Sequence, residues 1–170
     1  MKRLIGVALL VLGVAGCVGP VGSISDAEDD QAALVYGYIN GNHGVPNVTL
    51  YNDKSKVLAP WAPGNTPAHT YSSGLVVFAN VEPGEYTIHG FGVGRTSFGL
   101  GEQRIKLTVR PGEVKYLGAY QYAPEGGLFS NKFTFSQTSD PSHQTVLKWA
   151  IEATGGTDWS PRLKGQQSKG

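Results

Sequence analysis

Between Ala32 and Ser136 apolar residues recur in short runs with a period of two, and turn residues cut off most of these runs. A strand with one face buried requires that pattern, because successive side chains point to opposite faces of a sheet. The runs are Ala32–Asn40 (AALVYGYIN), Val45–Asn52 (VPNVTLYN), Gly74–Phe78, Tyr86–Phe91, Gln103–Val109, Val114–Tyr122 and Leu128–Ser136. Gly41-Asn42-His43-Gly44, Glu82-Pro83-Gly84-Glu85 and Pro111-Gly112-Glu113 lie between runs and read as tight corners. Glycine is frequent, 24 of 170 residues, and sits at turn-like positions without a triplet repeat, which favours many short strands over a helical protein. Residues 53–73 hold three of the ten prolines and little periodicity. They are read as a long loop with room for one short edge strand, since proline cannot donate to a central ladder. The chain then changes character. Asp140-Pro141 is read as an N-cap followed by the first helical residue, and Val146, Leu147, Ala150 and Ile151 follow at helical spacing until Gly155-Gly156. The expected fold is therefore mainly β: an antiparallel β-sandwich of about seven to eight strands with one C-terminal α-helix.

The first seventeen residues, MKRLIGVALLVLGVAGC, carry two cations, then an uncharged apolar run from Leu4 to Gly16, then the chain's single cysteine. This is the layout of a secretory signal, and the run is shorter than the roughly 20 residues a membrane-spanning helix needs. Val14-Ala15-Gly16-Cys17 resembles the lipobox of bacterial lipoproteins. The resemblance implies acylation of the Cys17 thiol, cleavage just before it, and a lipid anchor in the envelope. Val18 at the following position, where that family often carries an aspartate when retained in the inner membrane, tilts the expectation to the outer membrane. The expected organisation is a signal peptide over 1–16, lipidated Cys17 and a flexible tether over 17–31, a β-sandwich over 32–137, a helix and docking segment over 138–164 and a frayed tail over 165–170. Without Lys2 and Arg3 the chain has twelve basic against thirteen acidic residues and no basic run, so nucleic acid is not expected as a partner. Lipidation of Cys17 leaves no thiol for a disulfide, so the core alone must hold the domain together.

The order GNHGVPNVTLYN followed by SSGLVVFANVEPGEYTIHGFG is similar to the carboxypeptidase regulatory-like or transthyretin-like β-sandwich, over roughly residues 34–110. That resemblance implies an Ig-like sandwich whose shared motif is structural, and it places Gly37 and Ile39 on the inward face of the first strand. A urate-pathway hydrolase in that superfamily ends in a Tyr-Arg-Gly-Ser motif. This chain ends Gln-Ser-Lys-Gly, so that activity is not carried over.

No catalytic group, metal site or cofactor is assigned. His43, His69, His89 and His143 lack the short paired spacing of a zinc site, and no G-x-S-x-G elbow occurs. The glycine-rich stretch Gly90–Gly101 lacks both a following helix and a Walker lysine, and reads as a bulged strand connection. The candidate contact residues are tyrosines. Tyr36 and Tyr38 share one face of a strand, and Tyr116, Tyr120 and Tyr122 are expected to share one face of another. Exposed, such a stripe would stack on peptidoglycan or polysaccharide sugars or meet an envelope protein; otherwise it bridges core and rim or lies under the C-terminal helix. The expected role is a lipid-anchored, non-catalytic binding or structural module of the bacterial envelope, facing the periplasm or displayed on the surface. The alternatives are an accessory subunit of a secretion or surface-assembly complex and a glycan-binding protein.

Overall fold

The computed structural model describes residues 23–40, 44–125 and 132–167. The signal segment, Cys17, the start of the tether, His43 and Leu128–Asn131 of the last expected strand lie outside the described residues. Strands β1 (Ala33–Asn40), β2 (Pro46–Asn52), β3 (Thr66–Pro67), β4 (His69–Thr70), β5 (Leu75–Val81), β6 (Gly84–Ile88), β7 (Gly90–Val93), β8 (Thr96–Gly99), β9 (Ile105–Val109), β10 (Val114–Glu125) and β11 (Lys132–Gln137) precede helices α1 (His143–Ala153) and α2 (Trp159–Gln167). They form two sheets, ordered β11-β10-β1-β5-β4 and β8-β7-β2-β6-β9, with β3 added to β2.

The molecule is the expected mainly β sandwich with helical structure at the C-terminal end. Strands outnumber the expectation because several are fragments. β6 and β7 are two halves of one strand along β2, which pairs Asn52 with Tyr86 and Val48 with Phe91 across a break at His89. The proline-rich segment supplies β3 and β4, which cross from the second sheet to the first: Leu50 pairs with Thr66, and Val77 with His69. One pairing departs from the antiparallel expectation. β10 lies parallel to β1, reached only after the chain has built the whole second sheet.

Three layers result. Val35, Ile39, Val76 and Phe78 of the first sheet meet Val48, Leu50, Tyr86, Ile88 and Val109 of the second. On the other face of the first sheet, Leu34, Tyr36, Leu75 and Val77 pack under Val146, Leu147, Ala150, Trp159 and Leu163 of the helices. A sheet covered on both sides needs continuous apolar strands, and Ala33–Tyr36 and Leu75–Ala79 are buried throughout.

Three sequence-based boundaries change. Ser142, not Asp140, caps α1: its side chain accepts from the Thr145 amide. A second helix follows Gly155-Gly156, and residues 165–167 of the expected frayed tail form its last turn. The expected flexible tether, moreover, is docked from Ile24 onward. Ile24 is buried among the helices, Trp159 Nε1 donates to the Ser25 carbonyl at 3.0 Å, and the Asp158 amide donates to Asp26 Oδ1 at 3.0 Å. Asn80 clamps the same segment, accepting from the Glu28 amide and donating to Ser25 Oγ and the Asp26 carbonyl. A small, polar, acidic composition conceals this, because the docking runs mostly through backbone groups that any sequence carries.

Candidate functional site: a groove on the outer sheet

Alternation along β2 turns Val48 and Leu50 into the core and Asn47, Thr49 and Tyr51 to the outer face of the second sheet. The break between β6 and β7 brings His89 beside Tyr51, with ring centroids 5.4 Å apart at 66°, an edge-to-face contact. Ser97, Phe98 and Gly99 of β8 complete the floor, and Leu58 and Pro60 from the loop between β2 and β3 form a wall. The groove encloses about 350 Å³. Leu58 and His89 also border a second recess of about 480 Å³, lined by Asp53, Thr87, Arg104 and Lys106. There the Thr87 hydroxyl donates to Asp53 Oδ1 at 2.7 Å, which fixes the carboxylate at the start of the loop.

One side chain orders that loop. Asn65 Nδ2 donates to the carbonyls of Val57 (3.1 Å) and Ala59 (2.7 Å), and Oδ1 accepts from the Asn52 amide at 2.9 Å. Ala59 and Ala62 are buried, and Gly64 turns the chain with φ +81°. The fixed loop holds its larger apolar residues outward: Val57 is 54% exposed, Leu58 66% and Trp61 86%.

The five candidate tyrosines do not divide strand by strand as expected: Tyr36, Tyr38 and Tyr116 lie on the helix side, and Tyr120 and Tyr122 between the sheets. Tyr36 is buried against α1, sharing a 2.8 Å hydrogen bond with His143 Nε2 and lying 5.4 Å from the Tyr116 ring. His143 in turn stacks on Tyr116 at 4.1 Å. Burial pushes the Tyr36 phenol far above its ordinary value of 10.0, with Tyr116 adding to the shift. Tyr38 is half-buried near Trp149, and burial raises it too, reinforced by Asp140. Tyr120 and Tyr122 lie instead on the inter-sheet side. Tyr120 is parallel to Phe135 at 5.2 Å, and Tyr122 meets Phe91, Phe98 and Phe133. A bulge corrects the single-face expectation. The β1–β10 register slips between the pairs Tyr36/Tyr116 and Tyr38/Ala119, at Gly118 with φ +115°, so the residues after it change face.

Sequence reasoning therefore brought forward rings that serve the core, set His89 aside as a metal candidate and passed over Tyr51 and Trp61. One signal was available: a tryptophan between two prolines, beside Val57-Leu58, in a loop with no periodicity to account for apolar residues. The glycine-rich stretch is the β7–β8 hairpin, turning at Gly94 with φ +59°, and its strand residues line the groove. Among the described residues no cluster of three His, Cys, Asp or Glu could hold a metal ion, and no helix is long and apolar enough to cross a membrane. The chain has no significant match to a protein-family model, a curated protein or a solved structure.

Proposed function

We propose that this chain is a lipid-anchored, non-catalytic binding module of the bacterial envelope, tethered through Cys17, with the groove on its second sheet as the ligand face. The observation that carries the reading is the lining of that groove. Tyr51 and His89 offer ring surface, while Asn47, Thr49 and Ser97 offer amide and hydroxyl groups around it. A sugar ring has the complementary surface: C–H faces that pack on aromatic rings and hydroxyls that need directional partners. The ligand class is accordingly a glycan of the envelope, peptidoglycan or polysaccharide. Acyl chains at Cys17 contribute about 0.8 kcal/mol per buried CH₂, enough with two or three chains to hold the domain at the membrane. The test is calorimetric titration with soluble peptidoglycan fragments and with polysaccharide. Tyr51→Ala and His89→Ala should each weaken binding about tenfold, the loss of one stacking contact, with only a small drop in melting temperature from the lost Tyr51–His89 contact. Affinity indifferent to both substitutions would remove the groove from the function.

A second reading, an accessory subunit of a secretion or surface-assembly complex, draws on β11. That strand ends its sheet, pairs only with β10 among the described residues, and offers the edge that an added strand from a partner requires. Crosslinking in the native envelope separates the two: a stable protein partner joined through β11 supports the second, and its absence counts against it.

A further inference from the structure

We infer that the recess beside the groove is an anion subsite, in which Arg104 and Lys106 receive a carboxylate of the bound glycan. The inference rests on the glycan reading above and narrows it to carboxylated glycans. The groove and the recess form one trough, because Leu58 and His89 border both. Strand register sets the distances along it. Tyr51 pairs with Thr87 and Thr87 with Lys106, so the three stand in one row across β2, β6 and β9. Alternation puts that row on the outer face, since Leu50, Tyr86, Ile88, Ile105 and Leu107 between and beside its members face the core. The backbones of Tyr51 and Lys106 are thus two strand spacings apart, about 10 Å. His89 and Arg104 each lie one residue past the last pair, Ile88 with Ile105, and both border the recess. A ligand whose ring packs on Tyr51 and His89 therefore meets the two cations as it extends past β6.

Both cations are exposed and poised for an acid. Arg104 Nε donates to the Gly101 carbonyl at 2.7 Å, which orients the guanidinium and leaves its terminal nitrogens to a planar two-oxygen acceptor. The one ion pair among the described residues joins Lys115 to Glu113, so no carboxylate neutralises Arg104 or Lys106 at contact distance. Asp53 is the acidic residue of the recess, and its Oδ1 already accepts from the Thr87 hydroxyl. Glu85, the preceding outward residue of β6, lines a third recess past Lys106. Two cations against one carboxylate leave the recess with a single net positive charge, which suits a singly charged carboxylate better than a phosphate dianion.

Calorimetric titration of the protein, extracted in detergent from native membranes, tests this with two pairs of probes. Soluble peptidoglycan fragments and acidic polysaccharide are each compared with the same material after its carboxylates are converted to neutral methylamides. The expected result is binding about tenfold tighter to the free carboxylate form, weakening as salt is raised. The pair that shows the preference identifies the source of the acid. Arg104→Gln and Lys106→Gln should each lose most of the preference while keeping the affinity for the blocked form. Lys148→Gln removes the same charge from α1, on the far side of the first sheet, and should keep the preference. Equal affinity for free and blocked forms overturns the subsite and leaves the groove standing. A preference that survives in both recess variants, or that falls equally in Lys148→Gln, overturns it as well. Absence of binding to all four probes overturns the groove and the subsite together.

Discussion

At the scale of single residues, the fold turns on two glycines facing each other across the parallel pair of strands. A Cβ on Gly37 would stand 2.8 Å from the Gly118 carbonyl oxygen and 2.9 Å from Leu117 Cβ, backbone-fixed neighbours that cannot retreat without moving the bulge. Gly37→Ala should therefore cost about 1–3 kcal/mol of unfolding free energy, the usual penalty for overpacking, read from denaturant titration. The resemblance that put Gly37 and Ile39 inward agrees with the side the structure gives Ile39, and Tyr36 correspondingly faces the helices. The bulge itself was not legible, because glycine at position 118 reads in sequence only as a weak point in a strand. The buried phenols make a second prediction. Burial raises Tyr36, Tyr71, Tyr116 and Tyr120 above 10.0, so the unfolded chain releases these protons before the folded one does. Their contribution to stability is intact below pH 10 and falls as the pH rises beyond it. Alkaline titration should show phenolate absorbance appearing together with loss of tertiary circular dichroism. Tyr36→Phe should move that transition to higher pH.

At the scale of elements, the parts most legible in the sequence are those fixed by alternation and turn residues. β1, β2, β5, β6, β9 and β10 lie where period-two runs and Pro-Gly corners put them. The pieces that escaped notice are held by contacts between distant segments. The loop between β2 and β3 depends on Asn65, a residue with no apolar pattern around it. Asn65→Ala removes three partly exposed hydrogen bonds and should cost about 1–2 kcal/mol while opening residues 54–63 to limited proteolysis. The N-terminal segment depends on Trp159. Trp159→Phe keeps much of the packing but removes the donor to Ser25. It should leave the sheets intact and expose residues 23–28 to proteases, at a cost of about 2 kcal/mol. Protection unchanged in that variant would mean that the Asn80 clamp alone holds the segment.

At the scale of the whole molecule, the three layers divide the work. Helices cover one face of the first sheet, and the second sheet covers its other face. The outer surface of the second sheet then carries the groove and the loop beside it. The candidate site was illegible for a physical reason: its residues come from β2, β7, β8 and an intervening loop, and only the break at His89 and the fold-over of that loop bring them together. The Cys17 pattern, in contrast, is local and readable, and the proposed membrane anchor stands on it. Intact mass of the protein extracted from membranes of its native host tests that claim most directly. The account predicts a chain beginning at Cys17 and carrying a diacylglycerol and a further acyl chain; an unmodified chain cleaved at any other residue would contradict it.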